Sequence, residues 1–368
     1  MSVCKVAPRE FADPISAPRF TVLAIDGGGI RGVIAARVLA ELERLVGERP
    51  GGPGLSDCFD LISGTSTGGL ITVGLASPGE GAGSALTAAE QVELYTGEDG
   101  RAIFERPPLR RLPLIGRLSD YFRPRYGLTN LREVLERHVG EAKVGDALTE
   151  VLITSYDMRG REPVFFKRWT EDARETTMVD AGLATSAAPT FFPSHGVGDR
   201  ALIDGGVFAA NPTVAAIAES LKRTEDPGGL RRDQLLVVSL GTGDFEIGFE
   251  QAEVERWGSL EWILPNRKSG EPPLIGAMLD GQSDAAHHWA HVLLNHEPGE
   301  QMESAEALGA GPHYYRYEVE LTEPLPLDGV SDANIAQLTE CADALVDARS
   351  DELEAIADVL AERRSPSV

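Results

Sequence analysis

The residues best suited to chemistry in this chain fall in three short stretches. Gly64-Thr65-Ser66-Thr67-Gly68 follows the apolar run Phe59–Ile62 and leads into a helix-compatible apolar run. Small residues on both sides of a serine let the backbone turn sharply from strand to helix and expose the hydroxyl, as a nucleophile elbow requires. Asp26-Gly27-Gly28-Gly29-Ile30-Arg31-Gly32 sits between another strand pattern and another helical one. Ile203-Asp204-Gly205-Gly206 ends an apolar run in a carboxylate, with two glycines that permit close backbone approach. A serine nucleophile needs a base within hydrogen-bond reach, and Asp204 is the candidate.

Two uses of the glycine loop are open. Gly27-x-Gly29-x-x-Gly32 matches the dinucleotide fingerprint, which would make the chain a non-catalytic nucleotide-binding module. Against it, Asp26 would set a carboxylate beside the pyrophosphate, and no acidic residue closes a second strand about 20 residues later. The other use is an oxyanion hole. Consecutive glycines let backbone N–H groups converge, and a helix N-terminus adds positive potential where a tetrahedral intermediate carries its charge.

The base is open in the same way. A Ser…Asp…His triad would need a histidine after Asp204, and His287, His288 and His291 cluster within 285–294. A triad esterase of the α/β-hydrolase type is therefore the competing enzyme. His287 and His291 also have metal-ligand spacing, but no HExxH pattern is present, and packing outweighs either role.

Taken together, Asp26–Gly32, Gly64–Gly69 and Asp204–Gly206 resemble the patatin-like phospholipase family, and the sequence reads as its bacterial type. Ala184–Pro189 with Phe191-Phe192-Pro193, Asn211-Pro212 and Ser239–Gly243 extend the resemblance over roughly residues 20 to 245. The resemblance implies a three-layer α/β/α sandwich with a central, mostly parallel sheet, and a Ser–Asp dyad in place of a triad. Ser66 is then the nucleophile and Asp204 the general base. Amides around Gly27, Gly28 and Gly29 form the oxyanion hole with Arg31 supporting that loop, and Gly64, Gly68, Gly205 and Gly206 shape the motifs. The implied activity is hydrolysis of phospholipid carboxylic esters through an acyl-enzyme, of phospholipase A type, with no metal and no cofactor. Membrane phospholipid is the implied partner. Control by a signal molecule, as in a membrane-degrading effector, and self-association stay open.

Several elements must position these residues. Residues 20–26 read as a buried strand, and Ile34, Val38, Leu42 and Leu45 give the next segment a helical stripe. With the strand ending in the elbow this forms a βαβ unit, which implies parallel pairing. Further strands are expected at 150–157, 162–168, 200–204, 235–240 and within 314–321, and helices at 176–187 and 212–223. Ile335, Leu338, Leu345, Leu353, Ile356 and Leu360 mark one or two amphipathic helices after Ser331. The organisation expected is an N-terminal tail (1–19), a catalytic domain (20–325) and a C-terminal helical extension (326–368).

Composition excludes some classes. A net charge of −24 in 368 residues repels phosphate and argues against nucleic-acid binding. Cys4, Cys58 and Cys341 are odd in number and far apart with no CxxC pair. Neither a disulfide framework nor a thiolate zinc site is expected, which suits a reducing compartment. The first 20 residues have no apolar core of a secretory signal, and no run reaches the roughly 18 apolar residues of a membrane span. A cytoplasmic protein, touching membranes peripherally, is the expectation. Within 101–127 seven arginines stand against Glu105 and Asp120, a local +5, interleaved with leucines and prolines. That segment reads either as a solvated loop paired with surface acids or as a cap whose Arg110, Arg111 and Arg117 meet lipid phosphates.

Overall fold

The computed structural model describes residues 3–81, 83–106, 123–222, 229–245, 248–266, 268, 272–296 and 308–364. Its centre is an eight-stranded sheet. After the short strand β1 (Cys4–Lys5) come β2 (Phe20–Ile25), helix α1 (Gly32–Gly47), β3 (Leu61–Gly64) and helix α2 (Thr67–Ala76). Next are β4 (Glu150–Asp157), β5 (Glu162–Lys167), α3 (Met178–Thr185), β6 (His195–Val197), β7 (Arg200–Asp204) and α4 (Thr213–Lys222). The chain continues with β8 (Leu235–Leu240), β9 (Asp244–Phe245), the long helix α5 (Pro273–Asn295), β10 (Tyr314–Tyr317), β11 (Glu320–Leu321), α6 (Asp332–Ala348) and α7 (Ser350–Arg364).

The sheet order is β10-β8-β2-β3-β4-β7-β6, with β5 added to β4. From β10 to β4 every pair is parallel; β5, β6 and β7 pair antiparallel. This is the three-layer, mostly parallel α/β/α sandwich expected. Both faces are covered because successive side chains point to opposite sides of a strand. Leu23 and Ile25 of β2, with Leu236, Val238 and Leu240 of β8, pack with α1, α6 and α7. Val22, Leu235 and Val237 point the other way, against Ala216 and Ile217 of α4 and Ala290 and Leu294 of α5.

The chain ends are tied into this body. β1 pairs with β11, which pairs with β9, as a separate three-stranded sheet. Ala12 donates its amide to Ala310, and the half-buried Arg9 pairs with Glu352 of α7 at 2.8 Å. Helices α6 and α7 pack on α1, and their apolar stripes belong to the same core as β2.

The cysteine expectation needs correction. Cys4 on β1 and Cys341 on α6 form a disulfide with Cα atoms 5.9 Å apart, although 337 residues separate them. No local spacing could signal it, since the pair meets only because β1 docks beside β11. Cysteine usage therefore gives no argument for a reducing compartment. Cys58 is buried and takes no part in a disulfide. No described helix is long and apolar enough to cross a membrane.

Candidate active site

Strand register assembles the site. Ile25 pairs with Gly64 on one side and Leu240 on the other, so three parallel strands end at the same level. The segments that leave those ends carry Asp26–Gly29, Ser66 and Thr242. Ligands of open α/β sheets bind outside the carboxyl ends of the strands. Asp204 arrives from an antiparallel strand, but its partner Ser155 lies two residues beyond Ile153, the partner of Gly64. The carboxylate is thereby brought to the height of the serine, two residues past Gly64.

Ser66 has φ 54° and ψ −121°, an unusual conformation for a side-chain-bearing residue. The turn is held from several sides. The Ser66 amide donates to Thr185 Oγ1 at 2.9 Å, Gly68 donates to the Thr65 carbonyl, and the Thr65 hydroxyl reaches the Ala209 carbonyl at 2.7 Å. A Cβ on Gly68 would lie 2.2 Å from the Ile25 carbonyl oxygen, so this position tolerates no side chain. Ser66 is also the N-cap of α2, at the positive end of that helix.

Asp204 is buried and faces Ser66. Burial raises its pKa to about 6, while the Ser66 hydroxyl and the Gly206 amide act in the opposite direction by favouring the charged form. Gly206 donates to Asp204 Oδ1 at 2.7 Å, and the Asp204 amide donates to the Ala187 carbonyl. Thr185 and Ala187 both come from the 184–189 stretch. The sequence pointed to that stretch only through resemblance; its work is to fix the elbow and the carboxylate.

In the glycine loop, the Gly27 amide donates to the Ala210 carbonyl at 3.0 Å. Gly28 and Gly29 line the cavity, and their amides have no acceptor among the described residues. Of the three amides expected to serve as oxyanion donors, that of Gly27 is therefore already engaged. Thr242 Oγ1 donates to the Gly27 carbonyl at 2.7 Å, and a Cβ on Gly28 would fall 2.1 Å from that same oxygen. Arg31 donates to the Gly243 carbonyl at 3.3 Å and stacks on the Phe245 ring, bracing the loop against β9.

Beside the loop lies a charge network that sequence reading missed. Asp26 Oδ2 accepts from Arg316 Nη2 at 2.7 Å and from Ser283 Oγ at 3.0 Å. Arg316 also reaches Glu318 at 2.6 Å and Ser239 Oγ at 2.9 Å. Burial raises the pKa of Asp26 against the pull of Arg316, and pushes Glu318 up to about 7. Arg316 stands 290 residues from Asp26 in sequence, and only the β10–β8–β2 order brings them together.

Ser66, Asp204 and Gly27–Gly29 open into one cavity of about 410 Å³. Its walls are mostly apolar, including Leu70, Phe104, Phe191, Phe192, Ile275 and Leu279. A mostly apolar cleft with a few convergent polar groups is the usual form of a small-molecule site. No group of three or more potential ligands that could hold a metal exists among the described residues.

The histidines after Asp204 have other engagements. His287 lines the cavity, but its Nδ1 meets the Tyr314 hydroxyl at 2.9 Å, and burial, then the Arg316 charge, lowers its pKa to about 3. His291 accepts from the Gly309 amide and contacts His296. His288 is exposed, and His313 contacts the Leu235 carbonyl. Arg110, Arg111 and Arg117 lie outside the described residues. At the described ends of that segment, Arg101 pairs with Asp332 and Arg125 with Asp328.

The family model for patatin-like phospholipases matches residues 23–217, from β2 through the elbow and Asp204 to α4. The chain belongs to the patatin-like phospholipase family. Patatin-like protein 1 of Oryza sativa is 36% identical over 79% of this chain and 75% of its own. Patatin-like protein 1 of Arabidopsis thaliana is 33% identical over 74% and 70%. These relatives are plant proteins, so the bacterial type read from the sequence gains no support. Probable inactive patatin-3-Kuras 1 of Solanum tuberosum is as similar, 34% identical over 67% of this chain and 69% of that one. Family membership assigns a lipid hydrolase as a class; whether the dyad operates is a matter of local geometry. Among solved structures, human GIVD cytosolic phospholipase A2 aligns over 95% of this chain and 61% of that one at 12% identity and a TM-score of 0.44.

Proposed function

We propose that this patatin-like protein is a lipid acyl hydrolase that cleaves carboxylic ester bonds of phospholipids, in the manner of a phospholipase A, through Ser66 and Asp204. The observation that carries this reading is the pairing of a strained, cavity-facing Ser66 with a buried carboxylate of raised pKa. A base works best when its pKa lies near the operating pH, and about 6 suits a carboxylate asked to accept a hydroxyl proton. In this mechanism Asp204 takes the Ser66 proton as Oγ attacks the ester carbonyl carbon. The developing oxyanion meets the amides of Gly28 and Gly29 and the N-terminal end of α2. Collapse breaks the ester C–O bond, Asp204 returns the proton to the leaving alcohol, and the lysolipid departs. Water, deprotonated by Asp204, then attacks the acyl-Ser66 ester; Asp204 returns that proton to Ser66 Oγ as the ester C–O bond breaks and the fatty acid leaves.

The test compares the wild-type protein and Ser66→Ala on a mixed phospholipid extract, with fatty acids and lysolipids identified by mass spectrometry. Ser66→Ala is expected to lose at least about a thousandfold of the turnover, as removal of a nucleophile does. Wild-type-like product release by Ser66→Ala refutes the dyad.

A further inference from the structure

The long helix α5 turns two different faces to its surroundings. Ile275, Leu279, Ser283 and His287, spaced at four residues, line the cavity. Asp280 and Asp284, the only formal charges on the helix, border it too while remaining exposed. The outward face is different. Leu274, Met278, Ala285, Trp289 and Val292 recur at helical spacing, with Gly281 and Leu293 beside them. Leu274 is 43% exposed, Met278 49%, Trp289 57%, Val292 38% and Leu293 47%. A 23-residue helix is about 35 Å long, so this uncharged stripe extends across much of the molecule. Next to it, the short helix Ser259–Ile263 packs on α5 and exposes Leu260 and Ile263 at 62% and 54%. Trp257 and Trp262 stack edge to face just behind them, their rings 5.0 Å apart.

We propose that the outward face of α5, with Leu260 and Ile263, is a docking surface for a lipid bilayer. Continuity with the cavity selects that occupant. Met278 belongs to both faces of the helix: it is half exposed, and it also lines the cavity with Ile275 and Leu279. The stripe therefore runs through Met278 into the chamber that holds Ser66, which gives an acyl chain leaving the bilayer an apolar point of entry. A helix in the plane of an interface buries its apolar side in the acyl boundary, and tryptophan favours that depth. Basic residues usually add attraction for anionic lipid, but α5 has neither Lys nor Arg. Docking through this face is accordingly apolar, proceeds on uncharged zwitterionic vesicles and persists in high salt.

The experiment uses the full chain carrying Ser66→Ala, so that binding is read without hydrolysis and independently of the proposed chemistry. Sedimentation with phosphatidylcholine vesicles is compared for that protein and for the same protein with Leu274→Glu and Trp289→Glu. The expected result is at least a tenfold weaker partition for the charged variant, and little change with salt for the parent. In the protein that keeps Ser66, the two substitutions should slow vesicle hydrolysis while leaving a short-chain soluble ester unaffected. If they also impair the soluble ester, Trp289→Gln alone decides by the ratio of the two activities. Unchanged vesicle binding overturns the proposal. So does a wild-type dimer that the charged variant converts to monomer with binding retained, because a second copy then covers the face.

Discussion

Replacing Asp204 by asparagine separates the demands of catalysis from those of stability. The carboxylate is held in the folded protein with a pKa near 6 against a reference of 3.8, about two units. Each unit is worth about 1.36 kcal/mol, so keeping the group ionised in its buried site costs about 3 kcal/mol. The sign follows from the direction of the shift. A raised folded-state pKa means that the folded protein binds this proton more tightly than the unfolded chain. The resulting stability is fully present below pH 3.8 and is lost as pH rises through about 6. The amide that Asp204→Asn introduces is neutral throughout; its oxygen retains the Gly206 amide, and its NH2 can donate to the Ser66 hydroxyl.

Urea unfolding of Asp204→Asn and the native chain should therefore show nearly equal stability at pH 4. The variant should gain as pH rises, approaching about 3 kcal/mol near pH 8. Hydrolysis should be lost in the variant at every pH, while kcat/KM of the native enzyme falls on acidification with a midpoint near 6. A stability difference that does not change with pH, or a variant less stable at pH 8, refutes the claim that burial of an ionised Asp204 dominates its energetics.

Three other outcomes follow from particular contacts. His287→Ala should retain ester hydrolysis within about tenfold, since its ring contacts Tyr314; a loss of three or more orders of magnitude, as for a triad histidine, would restore the triad esterase. Gly28→Ala should cut kcat far more than it raises KM, because the new methyl meets Thr242 and displaces an oxyanion amide; steady-state kinetics on a soluble ester reads the split. Reducing the Cys4–Cys341 bond should lower unfolding stability by about 2–5 kcal/mol, given the long loop it closes, and Cys4→Ala should abolish that sensitivity to reductant.

The legible parts of the sequence were those in which one local pattern fixes one local conformation. The run 20–25 declares a buried parallel strand by its composition, apolar but for Thr21, and Gly64-x-Ser66-x-Gly68 declares the elbow because only glycine fits beside the Ile25 carbonyl. Asp204 was legible as a strand end beside glycines. Less was legible where partners are distant. The Cys4–Cys341 bond, the role of Thr185 under Ser66, and the clamp from Thr242 to Gly27 all depend on strand order rather than spacing. Helix α5 was recognised only around its histidines, because its mixture of glycine, small and apolar residues gives no single polar face. Its outward stripe is apolar, and its two exposed carboxylates, Asp280 and Asp284, stand at the cavity rather than along that stripe.

Arg316 shows what that distance conceals about the chemistry. Asp26 immediately precedes the loop whose amides receive negative charge in the proposed mechanism, and an uncompensated carboxylate there would raise the energy of the tetrahedral intermediate. Arg316 supplies the compensating charge from the edge strand β10, but Glu318 contacts the same guanidinium. Two carboxylates on one arginine leave a net negative site at high pH. Burial raises the pKa of both Asp26 and Glu318 against the pull of Arg316, and protonation of Glu318 relieves the excess negative charge around that guanidinium. Two acids thus act on the proposed chemistry in opposite ways: ionisation of Asp204 turns the base on, and ionisation of the half-buried Glu318 adds negative charge beside the loop. Glu318→Gln should therefore flatten the alkaline limb of the pH–rate profile while leaving the acid limb in place. Loss of both limbs together would mean that Glu318 acts on the fold of the loop rather than on its charge.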